Sequence, residues 1–237
     1  MAYSRESLVK DLEAIGVSKF DWKGQVASRL NPALVKEDPN LAWGGLSEKQ
    51  IFEKAIAAYC WHAYEKARTS AGDLVIGRES DLTAAGLYEK VANVGSLDTI
   101  FDEGAAGNLL KLDKWALVVN DSWIIGGIHR LAKFRLASGR IPRNLWNAEK
   151  SCLIVTAREL IGLLHFGYEL QQVGPWQVLV CTQPAIAGNA NLIEYDKLIK
   201  LRGTVAEATK FLEQSTPGTV DPRAMPSPLR APPSLRV

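Results

Sequence analysis

The chain has 237 residues, of which 47% are apolar and 23% charged, with 28 Lys and Arg against 26 Asp and Glu. That is ordinary globular composition with enough apolar material for a sizeable core, which excludes a wholly disordered or fibrous chain. No window of about 18 uncharged apolar residues occurs, and the charged opening MAYSRESLVKDLE lacks the apolar stretch of a secretory signal, so neither a membrane span nor a cleaved signal is expected.

The small positive charge is unevenly placed. Residues 215–237 hold Arg223, Arg230 and Arg236 against Asp221, leaving 25 basic and 25 acidic side chains in 1–214. A neutral body disfavours a nucleic-acid-binding domain, which neutralises phosphates with several Lys or Arg. Cys60, Cys152 and Cys181 are odd in number and sit in apolar runs, the pattern of reduced thiols in a cytoplasmic-type compartment. Export by a signal-less route stays compatible with this.

In chain order, Leu8, Leu12 and Ile15 at helical spacing predict a helix from Ser4 to Ile15, stopped by Gly16. Asn31-Pro32 and Asp38-Pro39 punctuate a connection. Ser47 followed three residues on by Gln50 is a capping box that opens a helix from Glu48 to about Arg68. Further helices are expected over 82–94 and 96–102. The β-formers of KWALVVN (114–120), SWIIGGIH (122–129) and KFRLA (133–137), with Asn120-Asp121 as a turn, predict an antiparallel hairpin or meander. Strands follow at 151–155 and 177–182. Between them the pair Thr156 and Glu159 reads as a second capping box, for a helix from Ala157 to about Gln171 in a strand–helix–strand crossover. Helical segments at 196–201 and 204–214, the latter with a capping box at Thr204–Glu207, complete the ordered part. Six of the eleven prolines lie beyond Leu212, so 215–237 is expected to be disordered or extended alone.

The fold class is therefore α+β: a helical N-terminal part over 1–80, and an α+β unit over 81–214 built on a small, mostly antiparallel sheet with flanking helices. A Pro/Arg-rich tail over 215–237 completes it.

Standard catalytic signatures are absent. Gly72-x4-Gly77-Arg78-Glu79 has the glycine spacing of a phosphate loop but the wrong residues after it, and Cys60 with His62 lacks further zinc ligands, so no cofactor and no metal are expected. Arg158, Gly162, His165 and Glu169, on a helix to Gln171, fall within about 60° of one another on a polar stripe. Arg158 would hold a carboxylate or phosphate, His165 would act as acid or base, and Glu169 would orient it. Gly162 would let a ligand or neighbouring backbone approach. Glu159 is set aside because its capping role accounts for it. Trp123, Ile125, Gly127 and His129 would share one strand face, with the Gly126-Gly127 pair marking a close approach. The candidate site is thus His129, Arg158, His165 and Glu169. Each also has a plain structural role open to it, as a solvated helix face or a strand-end histidine.

The text VNDSWIIGGIH…FRLAS…NLW…LIVTARELIGLLHFGYE, over residues 119–169, resembles proteins associated with bacterial toxin and secretion-effector systems. The resemblance implies a bacterial effector-type protein and assigns no residue a role. Two functions remain open: handling of a small polar or anionic ligand, with or without catalysis, or a non-catalytic interaction or assembly subunit whose tail docks onto a protein partner.

Overall fold

The computed structural model describes residues 3–19, 45–77, 114–138, 146–147, 152–173 and 176–202, with positions 206 and 210. The Asn31–Pro39 connection, the helices expected over 82–102, the capping box at Thr204 and the 215–237 tail lie outside these residues.

Helix α1 runs Arg5–Ile15. Ser4 caps it by accepting from the Ser7 N–H, and Gly16 ends it in the left-handed region at φ 83°. A short turn at Val17–Lys19 follows. Helix α2 spans Glu48–Thr69, and both halves of the Ser47–Gln50 capping box form. Its buried stripe is Phe52, Ala55, Ile56, Tyr59, Cys60, Ala63, Tyr64 and Ala67. Strand β1 is Leu74–Ile76, inside the stretch that mimics a phosphate loop.

The next element departs from the expected hairpin. Lys114–His129 is one sixteen-residue helix, α3. Every residue from Val118 to Ile128 is buried, including Asn120, Asp121 and Ser122. A helix buried all round carries no amphipathic period, so its β-branched, continuously apolar text imitates strands. The Gly126-Gly127 pair serves helix packing. A Cβ at Gly126 would collide with the Tyr64 carbonyl of α2, and one at Gly127 with Leu74 and Phe134. The close approach inferred at these glycines is therefore real, but it is made by a neighbouring helix and the sheet.

After α3 come β2 (Phe134–Leu136), β3 (Trp146–Asn147) and β4 (Cys152–Leu153). Helix α4 is Val155–His165, followed by β5 (Tyr168–Val173) and β6 (Trp176–Cys181). The short α5 (Pro184–Ala187) and α6 (Leu192–Arg202) complete the described elements. The main sheet has order β1-β2-β6-β5, with β1–β2 parallel and the other two ladders antiparallel. The mostly antiparallel α+β architecture thus holds. The crossover lies elsewhere than expected: β4 pairs with β3 in a separate two-stranded sheet, whereas α3 lies between the parallel strands β1 and β2.

One continuous apolar core reaches from Leu8 to Ile199, with Trp123, Phe134 and Tyr168 in successive edge-on ring contacts through its centre. Asp11 ties its two ends together. Its Oδ2 accepts from the Tyr3 hydroxyl at 2.8 Å and from the Leu192 N–H at 3.1 Å, so a side chain of α1 satisfies a free amide at the start of α6. Among the described residues no helix is long and apolar enough to cross a membrane.

Candidate functional site: a buried polar seam between α3 and α4

Helix α4 begins one residue before the expected capping box and ends well short of Gln171. Its N-cap is Ile154, whose carbonyl accepts from Ala157 and Arg158 N–H; no side chain caps it. Thr156 and Glu159 are inside the helix and buried, at 1% and 4% exposure, so the capping-box reading is overturned. The helix stops because Gly167 takes a left-handed conformation at φ 83°. Glu169 consequently lies on β5, exposed and in register with Val180, and the four-residue helical stripe does not exist.

The four sequence candidates are separated. His129, at the end of α3, is held at both ring nitrogens: Nδ1 lies 3.0 Å from the Tyr64 hydroxyl and Nε2 2.9 Å from the Ala190 carbonyl. A carbonyl can only accept, so Nε2 carries the proton and Nδ1 accepts from Tyr64. Burial holds this imidazole below its ordinary pKa, against the opposing Ala190 carbonyl, with Arg68 adding to the depression. His165 ends α4 exposed, 5.0 Å edge-on from the Phe166 ring. Partial burial and then Arg202 lower its pKa, while Glu194 opposes. Of the four, Arg158 is the one that forms a buried ion pair among the described residues. Its Nη2 donates to Asp121 Oδ2 of α3 at 2.5 Å, with the two side chains 14% and 5% exposed.

Around this pair the seam is built from three helices. Tyr195 of α6 donates its hydroxyl to the Arg158 carbonyl at 2.9 Å, and its ring fills the space beside Gly162, where a Cβ would clash with it. The room at Gly162 is therefore taken by a side chain of this chain. Glu159 lies three residues after Thr156 on the same buried face. The Asn120 amide leans toward the Glu159 carboxyl without closing a hydrogen bond of good geometry.

The electrostatics separate the two acids. Burial raises the Asp121 carboxyl, but Arg158 pulls against it through both charge and hydrogen bond. Burial would lower the Arg158 guanidinium, yet Asp121, with Tyr195 and Asp196 behind it, outweighs that and raises it. Glu159 is pushed up to about 8, chiefly by burial, with Asp121 adding and with Asn120 and Arg158 offsetting part. The Asp121 carboxyl stays raised overall, burial outweighing its Arg158 partner, while Glu159 holds a proton at neutral pH.

Among the described residues of these two helices, six polar side-chain atoms are buried without a hydrogen-bond partner: five in the seam residues, Asn120 Nδ2, Asp121 Oδ1, Thr156 Oγ1, Arg158 Nε and Glu159 Oε2, and Trp123 Nε1, whose ring packs edge-on against Phe134. Among the described residues no group of three His, Cys, Asp or Glu side chains is placed to hold a metal ion. A groove of about 520 Å³ opens elsewhere, between α1 and α2, over Val9, Leu12, Val17 and Ala57. None of the seam residues lines it.

Of the seam residues, Arg158 was legible in the sequence. Asn120 and Asp121 together read as a hairpin turn, Thr156 and Glu159 as a cap, and Tyr195 carries no signal in the sequence. The polar triplet Asn120-Asp121-Ser122 inside an otherwise apolar run is the signal that could have found the seam, because buried polar groups need partners.

Comparison of the chain with protein-family models, with curated proteins and with solved structures returns no match.

Proposed function

We propose that this chain is a bacterial effector-type domain that handles a small polar ligand at the seam between α3 and α4. The supporting observation is the set of five partnerless buried polar atoms. Folded proteins keep few such atoms, and each costs about 1–3 kcal/mol unless something satisfies it. Arg158 Nε and Asn120 Nδ2 offer donors, Asp121 Oδ1 an acceptor, and Thr156 and protonated Glu159 can serve as either. A guest with both donors and acceptors matches that mixture. A free anion fits less well, because it would meet Asp121. The resemblance over residues 119–169 spans both helices of the seam and is the ground for the effector-type assignment.

The test is induced expression in a bacterial host, with growth as the readout and the melting temperature of each purified variant as the control. Arg158→Ala is unsuitable, because stranding Asp121 in the core costs about 3–5 kcal/mol and would confound the result. Arg158→Lys keeps the charge and removes the planar fork that Asp121 engages. The wild type is expected to slow growth and Arg158→Lys to lose that effect while still folding. Unchanged growth with the wild type, or full inhibition by folded Arg158→Lys, overturns the reading.

A second reading is favoured by the charge partition, which leaves the whole excess of +2 on residues 215–237. There the chain is a non-catalytic assembly subunit whose tail engages an acidic protein partner. Deleting 215–237 should then abolish salt-sensitive co-purification of that partner, and a truncated chain that keeps it would rule this reading out.

A further inference from the structure

We propose that Glu159, rather than either histidine, is the proton-carrying group of the seam, presenting its carboxyl as an acid to a basic atom of the bound ligand. This rests on the reading of the seam as the ligand site. The two histidines are poorly placed for the task. His129 has both nitrogens committed to Tyr64 and Ala190, and His165 is exposed at the far end of α4.

Glu159 differs in three respects. Its carboxyl is buried and Oε2 has no partner, so one oxygen keeps an unused hydrogen-bonding capacity. The neighbouring Asp121 already accepts from Arg158, so the negative charge that pair requires is supplied without Glu159. The charged and titratable groups that act on the carboxyl are Asp121 from α3, Arg158 on its own helix and Tyr195 from α6, with Asp196 acting on Asp121 and Arg158. Their resultant, with burial, holds the acid form through neutral pH, with a pKa of about 8. A proton donor is most effective when its pKa lies near the working pH.

In the step itself the O–H bond of Glu159 breaks, and the proton forms a new bond to the ligand's basic atom. The carboxylate left behind pairs with the positive charge the ligand has gained, since Arg158 is already balanced by Asp121, and the proton returns to Glu159 when the ligand leaves. The ligand class is therefore a neutral molecule bearing a basic oxygen or nitrogen beside a hydrogen-bond donor.

Two measurements on the full chain test this. Carbon-13 NMR titration of the glutamate carboxyls, assigned with Glu159→Gln, should show one carboxyl titrating near 8 that vanishes in the variant. In the growth assay Glu159→Gln should lose inhibition while remaining folded, since it is neutral and nearly isosteric. A Glu159 carboxyl titrating at the ordinary value, or a Glu159→Gln chain as inhibitory as the wild type, overturns the proposal. The two failures are distinguishable: if Arg158→Lys abolishes inhibition while Glu159→Gln keeps it, Glu159 is not the acid but the seam is still the site. If both variants inhibit fully, the seam itself is not the site.

Discussion

At the residue scale, Glu159 ties stability to pH in a direction opposite to that of most carboxylates. Its pKa rises from 4.5 to about 8 on folding. Below about 4.5 both the folded and unfolded chains hold the proton, so the group is neutral to stability. Between 4.5 and 8 only the folded chain keeps it, and stability falls by about 1.4 kcal/mol per pH unit, levelling off above 8. Glu159→Gln removes the group, so its unfolding free energy should exceed that of the wild type by roughly 3–5 kcal/mol at pH 8 and match it near pH 4. Urea denaturation at the two pH values measures this, and equal differences at both would refute it. His129 acts in the opposite sense: its depressed pKa means stability present above about 6.5 and lost as pH falls below it. Tyr64→Phe strands Nδ1 and should cost about 1 kcal/mol at neutral pH, read by the same method.

At the element scale, α3 is held by contacts that admit no substitution of size. A Cβ at Gly126 meets the Tyr64 carbonyl, which is backbone and cannot swing aside. Gly126→Ala should therefore lower stability by about 1–3 kcal/mol or more, despite alanine's better helix propensity. A melting temperature that rises would show that α2 and α3 are not packed this closely. The Asp121–Arg158 pair joins α3 to α4 in a different way. Each single leucine substitution should cost about 3–5 kcal/mol, and Asp121→Leu with Arg158→Leu together should cost much less than their sum.

The same scale shows what a sequence can and cannot disclose. Helices with one wet face, such as α1 and α2, carry caps and a readable period, and both were legible to within a residue or two. Helix α3 has no wet face from Val118 to Ile128, and its Val and Ile residues there read as strands. Helix α4 is legible in the sequence but shorter than expected, because Gly167 takes a left-handed conformation that a glycine inside a helical pattern does not announce. The error at Thr156 and Glu159 had the same origin. Serine or threonine followed three residues later by glutamate describes a cap only where the first of them is the last non-helical residue, and that depends on how Ile154 is held. The seam was half legible, because Arg158 stood out while its partners came from segments assigned to other structures.

At the scale of the whole molecule, the hydrogen bond from the Leu192 N–H to Asp11 spans 181 positions of sequence. Asp11 is buried at 9% exposure, so until residue 192 exists α1 has a carboxylate to desolvate without that amide to receive it. The parallel pairing of Leu74–Ile76 with Phe134–Leu136 imposes a shorter version of the same delay. A ribosome making this protein thus releases α1 long before α6, and although α2 offers α1 an early neighbour, the face carrying Asp11 stays unclaimed while most of the body is translated. Nascent chains stalled short of Leu192 should accordingly be cleaved by protease within α1, and chains stalled far enough beyond it for α6 to emerge should resist. Separately expressed fragments divided between these two helices should recover the docked state only by meeting each other, which would make their reassociation a concentration-dependent signal.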